Sequence, residues 1–434
     1  MKALKIISLI LIVSIFTACI SKMETEGPSH VELKHIDGKY RLFVNGEEFY
    51  IKGAGCEFGP CHLVAEYGGN SFRTWRTDNG QRSGRKVLDE ARENGLMVMM
   101  GLDVARERHG FDYDDENAVA EQLESFRQEV LELKDHPALL GWGIGNELNL
   151  RYTNYKVWDA VNDIAKMIKE VDGNHVTTTM LAGIGPSEVN YISKNCPDID
   201  FLSIQMYGEI VHLHRILAES GYNGPYIVTE WGATGHWEMP ATSWGAPIEQ
   251  TSTEKATAIK ERYKNVILAD DSNCLGSYVF LWGHKQERTP SWYGLFTEKG
   301  EKTEAVSVLQ YLWTGVNPGW EAPEFNDIVI EGKGGRFDNV RLTAGETYKA
   351  VLSANHGDLL SIKARAEIMP EPTELSDGGD FEKRPASIPN LVISETPFEV
   401  SFKTPEKSGA YRLLVYLVHK DYYAGTANIP FWVE

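Results

Sequence analysis

Leu139–Glu147 reads LLGWGIGNE, a run of apolar and small residues that ends in an amide and a carboxylate. A run without charges, apolar on both faces, is typical of a strand buried on both sides of a parallel sheet. The segment therefore predicts a strand over Leu139–Gly145, with Asn146 and Glu147 at its carboxyl end.

Seven more apolar runs flank this one, and stretches with helical periodicity separate them. The runs are Phe49–Gly53, Asn70–Trp75, Leu96–Gly101, Val176–Met180, Asp200–Gln205, Pro225–Glu230 and Leu275–Trp282. Eight strand-and-crossover units within residues 49–315 match the roughly 250 residues of a (β/α)8 barrel. We predict an α/β fold with a TIM barrel over residues 39–318, and a doubly wound sheet is the alternative.

Two segments outside the barrel runs have all-β patterns. Asn45-Gly46 lies between alternating segments, which predicts a hairpin that leads into the first barrel strand. Residues 322–434 contain short alternating strands and have the length of an immunoglobulin-like sandwich, without its disulfide. Within them, Glu371–Pro385 predicts a solvated acidic loop, with calcium binding as the alternative.

The amino terminus predicts export. Lys2 and Lys5 precede the apolar run Ile6–Phe16, which is too short to span a bilayer and ends in Thr-Ala-Cys19. This ending resembles a bacterial lipoprotein signal; the alternative is a plain secretory signal. The resemblance implies a signal peptide over residues 1–18, lipidation of Cys19, a tether over residues 19–38, and an exported protein anchored to the outer membrane, on its periplasmic side or at the cell surface.

Charge and motifs restrict the partners. Lys and Arg total 43 against 62 Asp and Glu, a formal charge of −19, which disfavours nucleic acid. The chain has no metal-binding CxxC or HExxH pattern and no glycine-rich nucleotide loop, so we expect neither a catalytic metal nor a cofactor. No protein partner is predicted, and the only expected membrane contact is the lipid anchor. Cys56 and Cys61 share one loop and could form a disulfide.

Polar residues at the ends of the barrel runs mark the candidate site, because barrel chemistry lies at the carboxyl ends of the strands. Glu147 ends the fourth run and Glu230 ends the seventh. Two carboxyl groups at one barrel mouth are typical of glycoside hydrolases, in which one attacks the anomeric carbon and the other donates a proton to the leaving oxygen. Aromatic and imidazole side chains beside them are candidate sugar-binding residues, among them Trp231 and His284.

The sequences GWGIGNE over Gly141–Glu147 and IVTEWG over Ile227–Gly232 resemble clan A retaining glycoside hydrolases, most closely the barrel domain of family 2. The resemblance covers roughly Phe49–Trp313. It implies that Glu147 is the acid/base and Glu230 the nucleophile.

The same resemblance implies roles in substrate binding for four more residues. Asn146 would bind the sugar 2-hydroxyl, and Arg73 would form a hydrogen bond near the nucleophile. Tyr207 would donate a hydrogen bond to Glu230, and Trp282 would form the floor of the subsite beside the cleaved bond.

These observations predict a retaining β-glycosidase that acts on an oligo- or polysaccharide. The segments FYIKG over Phe49–Gly53 and GGNSFRTW over Gly68–Trp75 also resemble β-1,3-glucanosyltransferases and related β-1,3-glucanases, which implies β-glucan as the substrate. Two alternatives remain open: a transglycosylase that uses the same residues, and a non-catalytic lipoprotein that binds glycans at the cell surface.

Overall fold

The computed structural model describes residues 27–434, except 320–321, 356–357, 359–360, 377–379 and 421. The predicted signal peptide and Cys19 lie outside the described residues. No helix in the described part of the chain is both long and apolar enough to span a membrane.

Eight parallel strands form a closed barrel in the order β10-β11-β4-β5-β6-β7-β8-β9. Their bounds are β4 Ile51–Gly55, β5 Ser71–Arg73, β6 Met97–Leu102, β7 Leu139–Asn146, β8 Val176–Ala182, β9 Phe201–Gln205, β10 Tyr226–Glu230 and β11 Cys274–Val279. The barrel closes where β11 pairs with β4. The predicted TIM barrel is confirmed, and the doubly wound alternative is wrong because the sheet has no free edge.

Helices surround the barrel and bury their apolar faces against it. They are α1 Leu63–Glu66, α2 Gly84–Glu93, α3 Glu116–Leu133, α4 Lys156–Val171, α5 Pro186–Asn195, α6 Leu213–Ser220, α7 Ser252–Arg262 and α8 Glu304–Thr314. Local signals fix several helix starts. Asp115 caps α3, and Thr251 with Glu254 forms a capping box at α7.

A small antiparallel sheet closes the amino-terminal end of the barrel. It contains β1 Val31–Ile36, β2 Lys39–Val44 and β3 Glu47–Glu48. The predicted turn at Asn45-Gly46 joins β2 to β3, and both of its residues have positive φ. The predicted tether over residues 19–38 is wrong from residue 31 onward, because Val31–Ile36 pairs with β2 and buries Val31 under the barrel.

The carboxyl-terminal residues form a sandwich of two sheets, ordered β13-β12-β15-β18-β17 and β14-β20-β19-β16. Its strands are β12 Glu324–Ile330, β13 Gly334–Gly335, β14 Arg341–Leu342, β15 Thr347–Asn355, β16 Ile362–Pro370, β17 Val392–Glu395, β18 Glu399–Lys403, β19 Gly409–His419 and β20 Tyr423–Val433. Apolar side chains from both sheets meet in a core of their own. The predicted all-β domain is therefore present.

Candidate active site

A cleft crosses the barrel mouth at the carboxyl ends of the strands. It has two lobes, a larger one of about 730 Å³ and a smaller one of about 410 Å³. Glu230 and Phe280 line both lobes, so the lobes meet at these two side chains. The larger lobe also contacts Asn146, and the smaller one contacts Glu147.

Glu230, the last residue of β10, accepts hydrogen bonds from four side chains that lie at the ends of two other strands, β5 and β9, or two residues beyond them. Its Oε1 accepts from Arg73 Nη2 at 3.1 Å, Trp75 Nε1 at 3.0 Å and Gln205 Nε2 at 3.1 Å. Its Oε2 accepts from Tyr207 Oη at 2.8 Å. Because every partner is a donor and Arg73 is cationic, this environment stabilises the ionised carboxylate.

Asn146 is held by the same group of donors. Its Oδ1 accepts from Arg73 Nη2 at 2.7 Å and from Gln205 Nε2 at 2.8 Å. These bonds fix the amide with its oxygen toward Arg73, which leaves Nδ2 on the other side of the amide group. The Arg73 guanidinium also lies 4.4 Å from the centre of the Trp75 ring.

Glu147 follows β7 in a left-handed backbone conformation, with a φ of 51°. Its amide donates to Met180 O at 2.9 Å, and its carbonyl accepts from Arg108 Nη1 at 2.8 Å. These bonds hold the conformation, which is unusual for a residue with a Cβ. Burial, followed by the negative charge of Glu230, raises the pKa of Glu147 to about 8. Glu147 is therefore largely protonated at neutral pH.

Tyr207 keeps its proton as well. Burial and the neighbouring charge of Glu230 raise the pKa of Tyr207 well above its ordinary value. Its hydroxyl is therefore a donor to Glu230 at every pH of interest. Its ring packs edge-on against Trp237, 5.4 Å away between ring centres, and Trp237 is 61% exposed in the smaller lobe.

The structure brings together five of the predicted site residues: Glu147, Glu230, Arg73, Asn146 and Tyr207. Trp282 borders the larger lobe, but its side chain is too buried to form the predicted floor of a subsite. Its side chain is 0% exposed, stacks on Trp313 and donates from Nε1 to Pro60 O at 3.2 Å. β11 ends at Val279, so Trp282 lies beyond the strand and turns into the layer between barrel and helices.

Trp231 is also misassigned to sugar binding. It follows Glu230 directly, is fully buried, and stacks on Tyr263 in the core cluster of barrel and helix residues. His284 does line the larger lobe, where burial lowers the pKa of its imidazole. Its predicted part in sugar binding stays a prediction.

Sequence reasoning missed two donors to Glu230. Gln205 is the last residue of β9, and a polar residue at the end of that apolar run was the available signal. Trp75 follows β5 by two residues, and nothing local distinguishes its indole from one in the core. Gln205 is the register partner of Glu230 on the neighbouring strand, whereas Trp75 reaches Glu230 only because the barrel closes between β11 and β4.

Two loops extend the cleft beyond the barrel strands. Cys56 and Cys61 pair in a disulfide, and the loop between them lines the larger lobe with Glu57, Phe58 and Gly59. Asp380, Phe381 and Glu382 of the sandwich line the same lobe. The expectation of a solvated acidic loop is therefore wrong at Glu382, which is buried and paired with Arg288 at 2.8 Å.

Part of the chain is similar to a known kind of domain. Residues 75–283 match the TIM barrel domain of the glycosyl hydrolases of family 2. The match contains Asn146, Glu147, Gln205, Tyr207 and Glu230, and it confirms the family 2 resemblance of the two strand-end motifs. The similarity to β-1,3-glucanases stays a prediction.

The solved structures to which the chain is similar include glycosidases. A calcium-binding mutant of Bacteroides uniformis β-glucuronidase 2 is 14% identical over 93% of this chain and 48% of its own, with a TM-score of 0.48. Bifidobacterium dentium β-glucuronidase is 16% identical over 67% and 50%, with a TM-score of 0.49. A putative β-galactosidase from Bacteroides fragilis is 14% identical over 93% and 57%, with a TM-score of 0.47. The chain spans about half the length of the first two.

Proposed function

We propose that this protein is a retaining β-glycoside hydrolase that acts on a neutral β-linked glycan, with β-glucan as the first substrate to test. The observation that carries the proposal is the contrast between two neighbouring carboxyl groups. Glu230 is surrounded by four donors, whereas burial keeps Glu147 protonated. An ionised and a protonated carboxyl group at one mouth are the two reagents that glycoside hydrolysis requires.

In the first step, Glu230 attacks the anomeric carbon while Glu147 donates its proton to the departing glycosidic oxygen. A covalent glycosyl-enzyme forms and the leaving sugar diffuses away. In the second step, Glu147, now ionised, removes a proton from water, and the resulting hydroxide displaces Glu230. Asn146 Nδ2 supplies a donor for a hydroxyl of the bound sugar.

The charges of the larger lobe favour a neutral sugar. Its Arg and Lys side chains already face carboxylates: Arg76 lies 2.7 Å from Glu57, Arg106 lies 3.0 Å from Asp103, and Lys285 lies 2.7 Å from Glu287. Asp380, Glu382 and Glu230 line the same lobe, so its lining contains five carboxyl groups and three Arg or Lys side chains. A uronic acid would therefore place its carboxylate among an excess of acidic side chains. The Arg and Lys side chains described in this lobe already form ion pairs with carboxylates.

The test is to incubate the purified protein with β-glucans, mannans and galactans and to separate the products by size. NMR of the first product should show retention of the anomeric configuration. Glu230→Gln should lower turnover at least about a thousandfold, or about 4 kcal/mol, on every substrate cleaved. Longer products would identify transglycosylation, and an inverted anomer would contradict the mechanism.

Glu304→Gln is the matched control for the loss of a buried carboxyl group. Glu304 begins α8, outside the cleft, and burial raises its pKa to about 7. We expect this variant to keep wild-type turnover. A wild-type protein that binds the glycans without cleaving any would support the non-catalytic alternative.

We further propose that the protein is exported and anchored through a lipid on Cys19. The support is the short apolar run that ends in Thr-Ala-Cys19. Cys19→Ala should move the protein from the membrane fraction to the soluble fraction, whereas Ser21→Ala should not. An unchanged membrane fraction for Cys19→Ala would contradict the anchor.

A further inference from the structure

Phe381 of the sandwich is a large apolar side chain that is 89% exposed, and it lines the larger lobe of the cleft. On the barrel side, Phe58 lines the same lobe and is 60% exposed. An exposed aromatic face has a cost in water that a bound apolar surface removes. Both rings lie in a cavity that is continuous with Glu230, so the ligand they would meet is the one that reaches the catalytic carboxylates.

The residues on either side of Phe381 are anchored to two different barrel loops. Asp380 lies 2.8 Å from His109 Nε2, after the third barrel strand. Glu382 accepts from the amide of Arg288 at 2.7 Å and from its Nη1 at 2.8 Å, after the eighth strand. Gln286 Nε2 adds a third bond at 3.2 Å. These contacts hold the backbone of Phe381 over the mouth while its side chain stays uncovered.

The position of the acid assigns a direction to the cleft. Glu147 lines the smaller lobe, and an acid must lie beside the oxygen of the leaving group. The leaving part of the substrate therefore occupies the smaller lobe, and the part that becomes attached to Glu230 occupies the larger one. Pockets of about 300–1,000 Å³ hold drug-sized ligands, so a larger lobe of about 730 Å³ exceeds the needs of one sugar ring.

We propose that the larger lobe binds at least two consecutive sugar residues on the non-reducing side of the cleaved bond, and that Phe381 of the sandwich provides a stacking face for the outer one. This inference rests on the proposed glycoside hydrolysis. It makes the sandwich part of the substrate site and Phe381 a determinant of specificity for chain length.

The experiment compares Phe381→Ala with wild type on oligosaccharides of two to six residues, prepared from the polysaccharide that the wild-type enzyme cleaves. For β-1,3-glucan, these are laminari-oligosaccharides. We expect kcat/KM to fall about tenfold on the four- to six-residue substrates, mainly through KM. The 4-nitrophenyl glycoside of the single sugar should change less than twofold. Phe381→Tyr should restore most of the loss.

Phe398→Ala is the matched control, because Phe398 is another exposed phenylalanine of the sandwich and does not line the cleft. It should leave all substrates unaffected. Equal losses of Phe381→Ala at every chain length, or no loss on the hexasaccharide, would overturn the proposal. Release of single sugars only would overturn it too, because a filled larger lobe requires cleavage at least two residues from the non-reducing end.

The two proposals fail in different ways. A wild-type protein that cleaves none of the polysaccharides and glycosides contradicts the hydrolase function and this inference with it. A wild-type protein that is active, loses activity on Glu230→Gln and is insensitive to Phe381→Ala contradicts only the role of Phe381.

Discussion

Glu147 and Glu230 carry the same carboxyl group, yet their surroundings differ. Glu230 receives hydrogen bonds on both oxygens, and Arg73 compensates its charge. The Glu147 carboxyl is buried and faces the negative charge of Glu230, so protonation is its lower-energy state at neutral pH. The chemistry at this mouth is thus decided by donors and burial rather than by residue type.

The pH profile should report the proton on Glu147. Raising the pH through about 8 removes that proton, so kcat/KM should fall on the alkaline side with an apparent pKa near 8. The measurement is kcat/KM against pH on an oligosaccharide. For aryl glycosides whose leaving groups need no proton, kcat/KM should not fall at alkaline pH. An oligosaccharide profile that already falls between pH 5 and 6 would contradict the assignment.

The two tryptophans near the mouth should respond differently to truncation. Trp282→Ala removes a buried side chain and should destabilise the fold by about 3–5 kcal/mol, measured by denaturant unfolding. Trp237→Ala removes an exposed ring of the smaller lobe and should leave stability within about 0.5 kcal/mol while lowering kcat/KM. A stable Trp282→Ala with reduced turnover would restore the subsite role that the structure contradicts.

At the scale of elements, the amino-terminal sheet acts as the floor of the barrel. Leu42 of β2 and Val31 of β1 pack into the cluster that fills the barrel interior. The Val31 amide donates to Asn174 O at 2.8 Å, just before β8, and the Tyr40 amide donates to Ser272 O at 2.7 Å, just before β11. The sheet therefore covers apolar side chains that would otherwise meet water at this end.

Leu42→Ala should destabilise the protein by about 2–5 kcal/mol, because it opens a cavity at the barrel floor. Turnover at low temperature should not change, since the cleft lies at the opposite end of the barrel. Ile36→Ala is the control from the same sheet, because Ile36 is exposed and its loss should have little effect on stability. Equal unfolding midpoints for the two variants would show that the sheet does not cover the core.

At the scale of the whole molecule, buried ion pairs and hydrogen bonds join the sandwich to the barrel. Arg336 of the sandwich lies 2.9 Å from Glu254 of α7 and donates to Glu249 O at 2.8 Å. Arg412 of β19 donates to Pro247 O at 2.8 Å. Since the two arginines are buried and their hydrogen bonds are directional, the two domains are held in one fixed arrangement, as a site that includes Phe381 requires.

Arg336→Ala should lower stability by about 1–3 kcal/mol, because it leaves the buried carbonyl of Glu249 without its donor, whereas the half-exposed carboxylates of Glu254 and Asp327 become solvated. Calorimetry should still show one transition at a lower midpoint. Arg341→Ala is the control, because Arg341 pairs with Glu434 at the surface and such pairs contribute at most about 1 kcal/mol. Two separate transitions in the wild type would contradict the rigid coupling.

The barrel, the sandwich and the two strand ends that carry Glu147 and Glu230 could be predicted from the sequence. The spacing of apolar residues, the turn residues and the helix caps each depend on a few neighbouring positions, so strands, turns and helices can be predicted from them. The same local logic missed β1, although Asp37-Gly38, with positive φ at both residues, forms the turn that pairs it with β2.

Which side chains meet at the mouth could not be predicted from local sequence patterns. Trp75 reaches Glu230 because the barrel closes between β11 and β4, and Gln205 reaches it because β9 pairs with β10. Phe381 reaches the cleft because Glu382 pairs with a barrel loop. The side chains of Trp231 and Trp282 are buried in the core cluster of barrel and helix residues instead of facing the cleft. The physical reason is that the direction of a side chain beyond a strand depends on packing partners that are distant in sequence.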